Sequence, residues 1–272
     1  MLDADVFGFP RARSRAVIAA SLSTALLLCA CASADMQGKE AAASQQQAEA
    51  AAADNGVALK LARAARDAGD YASAVNLYKS VVAEKHADAG VQVELGDAQL
   101  RTGSIDDAIE TFSKVDAKSS ARLGALLGLE RAQIMLRDPQ AALSYADGAV
   151  ALAPGNKRAQ VGHGVALDMM GRHGEAQTCY RKAIAVDPHD IAARTDLALS
   201  LAMTGQYEDA IKIMTPIARS SSATPRLRQN LALIYGLKGD GVAARALSRA
   251  DLTATQAEGN LRFFTFVRDR KE

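Results

Sequence analysis

The sequence predicts an all-α solenoid of about six helical hairpins closed by a C-terminal helix. Three observations carry this prediction: a 34-residue period without insertions from Asn55 to Glu258, a glycine near the middle of almost every period, and 58 alanines in 272 residues. Ala is the best helix former and Pro the worst, and Pro takes only 6 positions. Such a composition disfavours sandwiches, barrels and collagen-like chains. Lys and Arg number 32 against 31 Asp and Glu, with six Tyr, six Phe and no Trp. A nucleic-acid binder needs clustered cations and stacking aromatics, so the chain carries no footprint of one.

Residues 1–30 read as a lipoprotein signal peptide. Arg11, Arg13 and Arg15 form a basic segment, and Ala16 to Ala30 is an apolar run too short for a spanning helix but suited to a signal core. Leu28-Cys29-Ala30-Cys31 resembles the bacterial lipobox, with a Leu three places before the modified Cys and a small residue just before it. Cys31 meets that pattern and is the expected lipid-modified residue; Cys29 does not, because Leu28 stands where a small residue is required. An ordinary cleaved signal with incidental cysteines is the alternative. Cleavage before Cys31 leaves Cys179 as the only free thiol, so no intrachain disulfide is expected. The lipoprotein resemblance also implies outer-membrane rather than inner-membrane sorting, since Ala32 and Ser33 follow where an Asp would signal retention. Residues 31–54, Ala- and Gln-rich, bury too little apolar surface to offset ordering entropy and read as a flexible tether.

Numbered from Asn55, position eight of the successive 34-residue units is Ala62, Gly96, Glu130, Gly164, Ala198 and Ala232. Position seven is Leu61, Leu95, Leu129, His163, Leu197 and Leu231, and position fifteen is Gly69, Gly103, Arg137, Gly171, Gly205 and Gly239. Position twenty is Ala in all six units, and position twenty-four is Tyr78, Phe112, Ala146, Tyr180, Met214 and Ser248. The period predicts two short amphipathic helices per unit joined at the position-fifteen glycine, where a left-handed cap suits Gly. Small residues at eight and twenty let the helices approach, and larger ones at seven and twenty-four fill the gaps. Pro154 and Pro188 end two of the second helices. After residue 258, Asn260 to Arg268 carries three of the six Phe. Thr255 and Glu258 read as a capping box that starts a final helix, and 259–272 is expected to cover the open end of the solenoid. An exposed docking helix is the alternative.

The chain has no phosphate-binding glycine loop, no HExxH, no paired-Cys motif and no nucleophile elbow. Neither a catalytic residue, a metal site nor a cofactor is expected, and the chain reads as a non-enzyme. His86, His163, His173 and His189 fall in different units. His163, in a core Leu position, reads as a satisfied buried histidine, His173 and His189 as solvated turn residues, and Cys179 as inert filling.

The period and residue types resemble the tetratricopeptide repeat (TPR), which implies a right-handed superhelix whose first helices line a concave groove. Carried over to the matching positions, the groove presents a charged entrance of Lys60, Arg63, Arg66, Asp67, Glu94, Asp97, Arg101 and Arg131. It continues into an apolar trough of Met135, Val161, Val165, Met169, Leu199, Met203, Leu233 and Leu237. A Met-rich trough suits adaptable helix-in-groove binding, although packing between neighbouring helices would account for the same residues. Position five lacks the Lys of the carboxylate clamp found in chaperone-binding TPRs, so capture of a free C-terminus is not expected.

The lipobox, the tether, six repeats and the ending Asp251-Leu252 … Asn260-Leu261-Arg262-Phe263-Phe264 … Arg268 together resemble the TadD-like TPR lipoproteins of the tight-adherence (Flp-type) pilus assembly system. The resemblance implies a scaffold or pilotin anchored at the periplasmic face of the outer membrane, helping a secretin assemble or localise for pilin export. Its implied partners are the secretin or other pilus-assembly proteins, with the membrane reached through the lipid. A pilotin for a type IV pilus or type II secretion secretin, and a general periplasmic TPR adaptor or chaperone, are built from the same parts.

Overall fold

A computed structural model describes residues 55–83 and 88–269. The signal peptide, Cys31, the tether and His86 lie outside the described residues. Among those residues are thirteen α-helices and no strand. They are α1 (Asn55–Asp67), α2 (Tyr71–Val82), α3 (Ala89–Thr102), α4 (Ile105–Ser113), α5 (Arg122–Met135), α6 (Pro139–Leu152) and α7 (Lys157–Met169). There follow α8 (His173–Val186), α9 (Ile191–Met203), α10 (Tyr207–Ala218), α11 (Pro225–Lys238), α12 (Gly241–Arg249) and α13 (Ala254–Asp269). Helices α1 to α12 form six hairpins, each packed on the next, and the architecture is an all-helical solenoid.

Local chemistry fixes the helix ends. Asp70, Asp88, Asp138, Asn156, Asp190, Thr224 and Asp240 each accept a backbone N–H of the first turn with their side chains. The five position-fifteen glycines have φ between +76° and +96°, as the left-handed cap requires. Arg137 takes the same role in the third unit at φ 59°, a conformation unfavourable for a residue with a Cβ. Helices α6 and α8 stop with caps at Ala153 and Asp187, just before Pro154 and Pro188.

Packing between units follows one rule with three solutions. A single large side chain fills the slot where position eight meets position twenty-four of its own unit and position six of the next. In the second unit that side chain is Phe112, fully buried, whose ring lies so close to Gly96 and Gly128 that a Cβ on either would stand 2.5 or 2.3 Å away. Tyr78, Tyr180 and Met214, each 0–1% exposed, occupy the same position in their units. In the third unit Ala146 leaves the slot empty from its side. Glu130 fills it from the opposite helix, its carboxyl carbon 2.7 Å from where a Cβ of Gly162 would lie. At the C-terminal end Ser248 is small, and Phe264 of α13 enters instead, against Ala232, Ala244 and Gly236.

Helix α13 therefore packs on α11 and α12 much as the first helix of a further unit would. It begins at Ala254 rather than at 259, and its capping box is Thr253 with Gln256: the Gln256 N–H donates to Thr253 Oγ1, and the Thr253 N–H donates to Gln256 Oε1. The predicted box of Thr255 and Glu258 does not form, because Glu258 pairs with Arg245 of α12 at 2.7 Å. Arg228 with Asp251, and Asn260 with Gln229, tie the cap to α11. Leu61, expected to plug a gap, is 41% exposed: α1 is the first described helix, with no preceding unit among the described residues to cover it.

Candidate partner-binding groove

Helices α1, α3, α5, α7, α9 and α11 each begin within a residue of the 34-residue step, so equivalent positions form rows along one face. In the first two units the rows are charged and satisfied within the chain. Arg63 donates to both oxygens of Glu94, the closest contact 2.7 Å, Arg66 Nη1 donates to Glu94 Oε2 at 3.2 Å, and the Tyr78 hydroxyl donates to the same oxygen at 2.8 Å. Burial opposes ionisation of Glu94, but the hydrogen bonds from Arg63 and Tyr78 outweigh it and hold the carboxyl below its ordinary range. Arg131 pairs with Asp97, Arg66 with Asp67, and the Arg101 guanidinium stacks 4.9 Å from the Tyr71 ring centroid. Lys60 is exposed. The charges expected at the groove entrance are largely neutralised by their own pairs.

The predicted apolar residues separate by depth. Met135, Met169 and Met203, all at position thirteen, are 47, 40 and 43% exposed and form a row one repeat apart. Val161, Val165 and Leu199 are half-buried against the core and expose only part of their side chains. Leu233 is half-buried against the core and the Phe264 cluster. Leu237 is 2% exposed and belongs to the core, so it is not a groove residue. Leu237 belongs to the main core cluster, against which Val267 of α13 also packs. Of the residues predicted to line the trough, those 40% or more exposed lie in the third to fifth units.

Polar groups under that surface were only partly legible. His173 is not a solvated turn residue: its ring nitrogen lies 2.8 Å from Asp168, which also accepts from the Tyr180 hydroxyl at 3.0 Å and from Ser200 Oγ at 2.8 Å. His163 is a satisfied, mostly buried residue, 2.9 Å from Asp147 and 3.3 Å from the Cys179 sulfur. Cys179 is 5% exposed, and burial raises its thiol pKa, as expected for inert filling. His189 is exposed. Two carboxyls absent from the sequence-derived groove stand out. Glu130 is 3% exposed, and burial pushes it up to about 7; burial likewise pushes Asp196 up to about 6. The signal for Glu130 was the coincidence of a large acidic residue at position eight with Ala146 at position twenty-four.

Among the described residues no group of three or more His, Cys, Asp and Glu is placed to hold a metal ion, and no helix is long and apolar enough to cross a membrane. What these positions offer is an exposed row of adaptable Met side chains one repeat apart.

Tetratricopeptide-repeat family profiles match residues 59–122 and 169–234. A TPR protein from Parabacteroides merdae ATCC 43184 superposes with a TM-score of 0.62 at 18% identity, over 79% of this chain and 88% of that one. A TPR protein of Thermus thermophilus superposes with a TM-score of 0.58 at 20% identity, over 66% and 98%. Similar curated sequences are an uncharacterized protein of Sinorhizobium fredii (39% identical over 70 residues, 26% of this chain) and a TPR repeat-containing thioredoxin of Arabidopsis thaliana (31% over 107 residues, 36% of this chain). The chain spans 38% and 16% of the length of those two relatives. The described residues therefore have the fold of a tetratricopeptide-repeat solenoid.

Proposed function

We propose that this chain is a lipid-anchored TPR scaffold that holds an apolar face of a protein helix in its concave groove, in the service of tight-adherence pilus assembly. The observation that carries the binding reading is the row Met135, Met169 and Met203, one repeat apart and exposed while the equivalent Leu237 is buried. Thioether side chains pack adaptably and suit a surface that accepts a helix in transit. The lipobox at Cys31 supports an anchor in the outer membrane facing the periplasm. The tail that resembles the pilus lipoproteins supplies the cap: Asp251, Asn260 and Phe264 each bind it to the last hairpin. A secretin, or another pilus-assembly protein, is the proposed partner. Deleting the gene should reduce secretin multimers and surface pili; normal multimers and pili would refute the assignment. Cys31→Ser should abolish palmitate labelling and release the protein from membranes, and persistent labelling would remove the anchor from this reading.

A further inference from the structure

Glu94, Asp97 and Arg101 are the residues of α3 assigned to the groove. Gln92, Leu95 and Gln99 form a second row on the same helix, two residues earlier at each step and so about 200° around it. This second row lines a cleft of about 460 Å³ between α2, α3 and α4. At its rim Lys79 lies 3.6 Å from Asp107, and Lys114 lies 2.7 Å from Glu110. Both pairs are exposed, and their charges cancel. The deeper lining is Leu95, Gln99 and Thr111, all buried. Gln99 is 2% exposed, and among the described residues no donor reaches its buried Oε1. Gln160, Thr195 and Ser248 also hold a buried side-chain oxygen without a donor, but none of the three lines the cleft.

A buried acceptor without a donor costs stability, and an apolar side chain of similar shape would remove that cost. The cleft provides room for a donor from outside, at a volume within the range of ligand sites. Each charge at the rim already has its counter-charge, so a charged occupant would lose hydration without meeting an unpaired partner. A hydroxyl meets an amide through one atom. A carboxamide carries donor and acceptor in one plane and matches both edges of the Gln99 amide together. We propose that this cleft is a binding site separate from the Met row, taking an uncharged segment of a partner protein through the carboxamide of an Asn or Gln. An N–H of that carboxamide donates to Gln99 Oε1, and Leu95 and Val82 pack its aliphatic part. Neither this site nor the Met row depends on the other.

The test uses the full chain with ¹³C-labelled Leu and Val methyl groups, followed by NMR. The probes are the blocked peptides acetyl-Ala-Gln-Ala-amide and acetyl-Ala-Glu-Ala-amide, with glucose as a neutral hydroxyl ligand. The Gln peptide should shift the Leu95 and Val82 methyl signals and bind about tenfold more tightly than the Glu peptide. Gln99→Met keeps the side-chain length and removes the amide. It should abolish the preference for the Gln peptide without lowering the urea midpoint. Equal affinities, no shift with either peptide, or a preference that survives Gln99→Met would overturn the inference. So would a lowered midpoint, which would mean that the amide is already satisfied within the chain. Tighter binding of glucose than of the Gln peptide would overturn the carboxamide in favour of a hydroxyl-bearing ligand.

Discussion

The carboxyl of Glu130 lies on the backbone of Gly162, so close that a Cβ there would be 2.7 Å from the carboxyl carbon and 2.8 Å from each oxygen. This contact is the third unit's substitute for an aromatic ring. It leaves an acid where the other units place Tyr, Phe or Met.

The Glu130 contact gives the solenoid an unusual pH dependence. Its pKa rises from 4.5 to about 7 on folding, so the folded state binds the proton more tightly than the unfolded state. Stability is therefore undiminished below pH 4.5 and falls as pH rises to about 7, by up to about 3 kcal/mol. Asp196, raised to about 6, adds in the same direction. Glu130→Gln should raise the urea midpoint at about pH 8 and have little effect at about pH 4.5. A midpoint gain of equal size at both pH values would mean that the carboxyl ionises without penalty.

Phe112 is held between two glycines, and the rigid ring has no room to retreat. Gly128→Ala should destabilise by about 2 kcal/mol or more, although Ala is the better helix former by about 1 kcal/mol. Phe112→Leu in the same chain should recover part of the loss. Thermal melts of the two single variants and the double variant measure the coupling.

Arg137 holds a left-handed cap that the other five units give to Gly. Its side chain is exposed, so Arg137→Gly relieves the Cβ strain at little expense in packing. A gain of about 1 kcal/mol is expected by denaturant titration.

The Met row can be altered without touching the core. Met135→Asp with Met169→Asp should leave stability within about 1 kcal/mol, because both side chains are 40% or more exposed. Capture of the partner should be lost in site-specific crosslinking from the groove. Leu199 is a poorer site for the same test: it is half-buried against the core, and an Asp there would confuse binding with folding.

The period made most of the architecture readable. Position fifteen named five of the six left-handed caps, position twenty named a buried Ala in every unit, and the Pro residues marked two helix ends. These features are local, or repeat at a fixed step, so each residue carries its meaning without its neighbours. The groove was legible only as rows. Sequence spacing put Met135, Met169 and Met203 in one row, and the three are exposed, but it gave no sign that Arg63, Arg66 and Tyr78 converge on Glu94.

By itself, then, the sequence determined a helical-hairpin solenoid of six units with a closing helix, because helix periodicity and backbone-cap chemistry are written in residue types at fixed intervals. Tertiary structure alone decided which side chain fills each inter-unit slot. Filling depends on total volume rather than on any one position, which is how Glu130 could replace a ring at position twenty-four and Phe264 could enter from α13. The same freedom lets Phe264 close the last unit against Ala232, Ala244 and Gly236, and leaves the Glu130 carboxyl buried against Gly162.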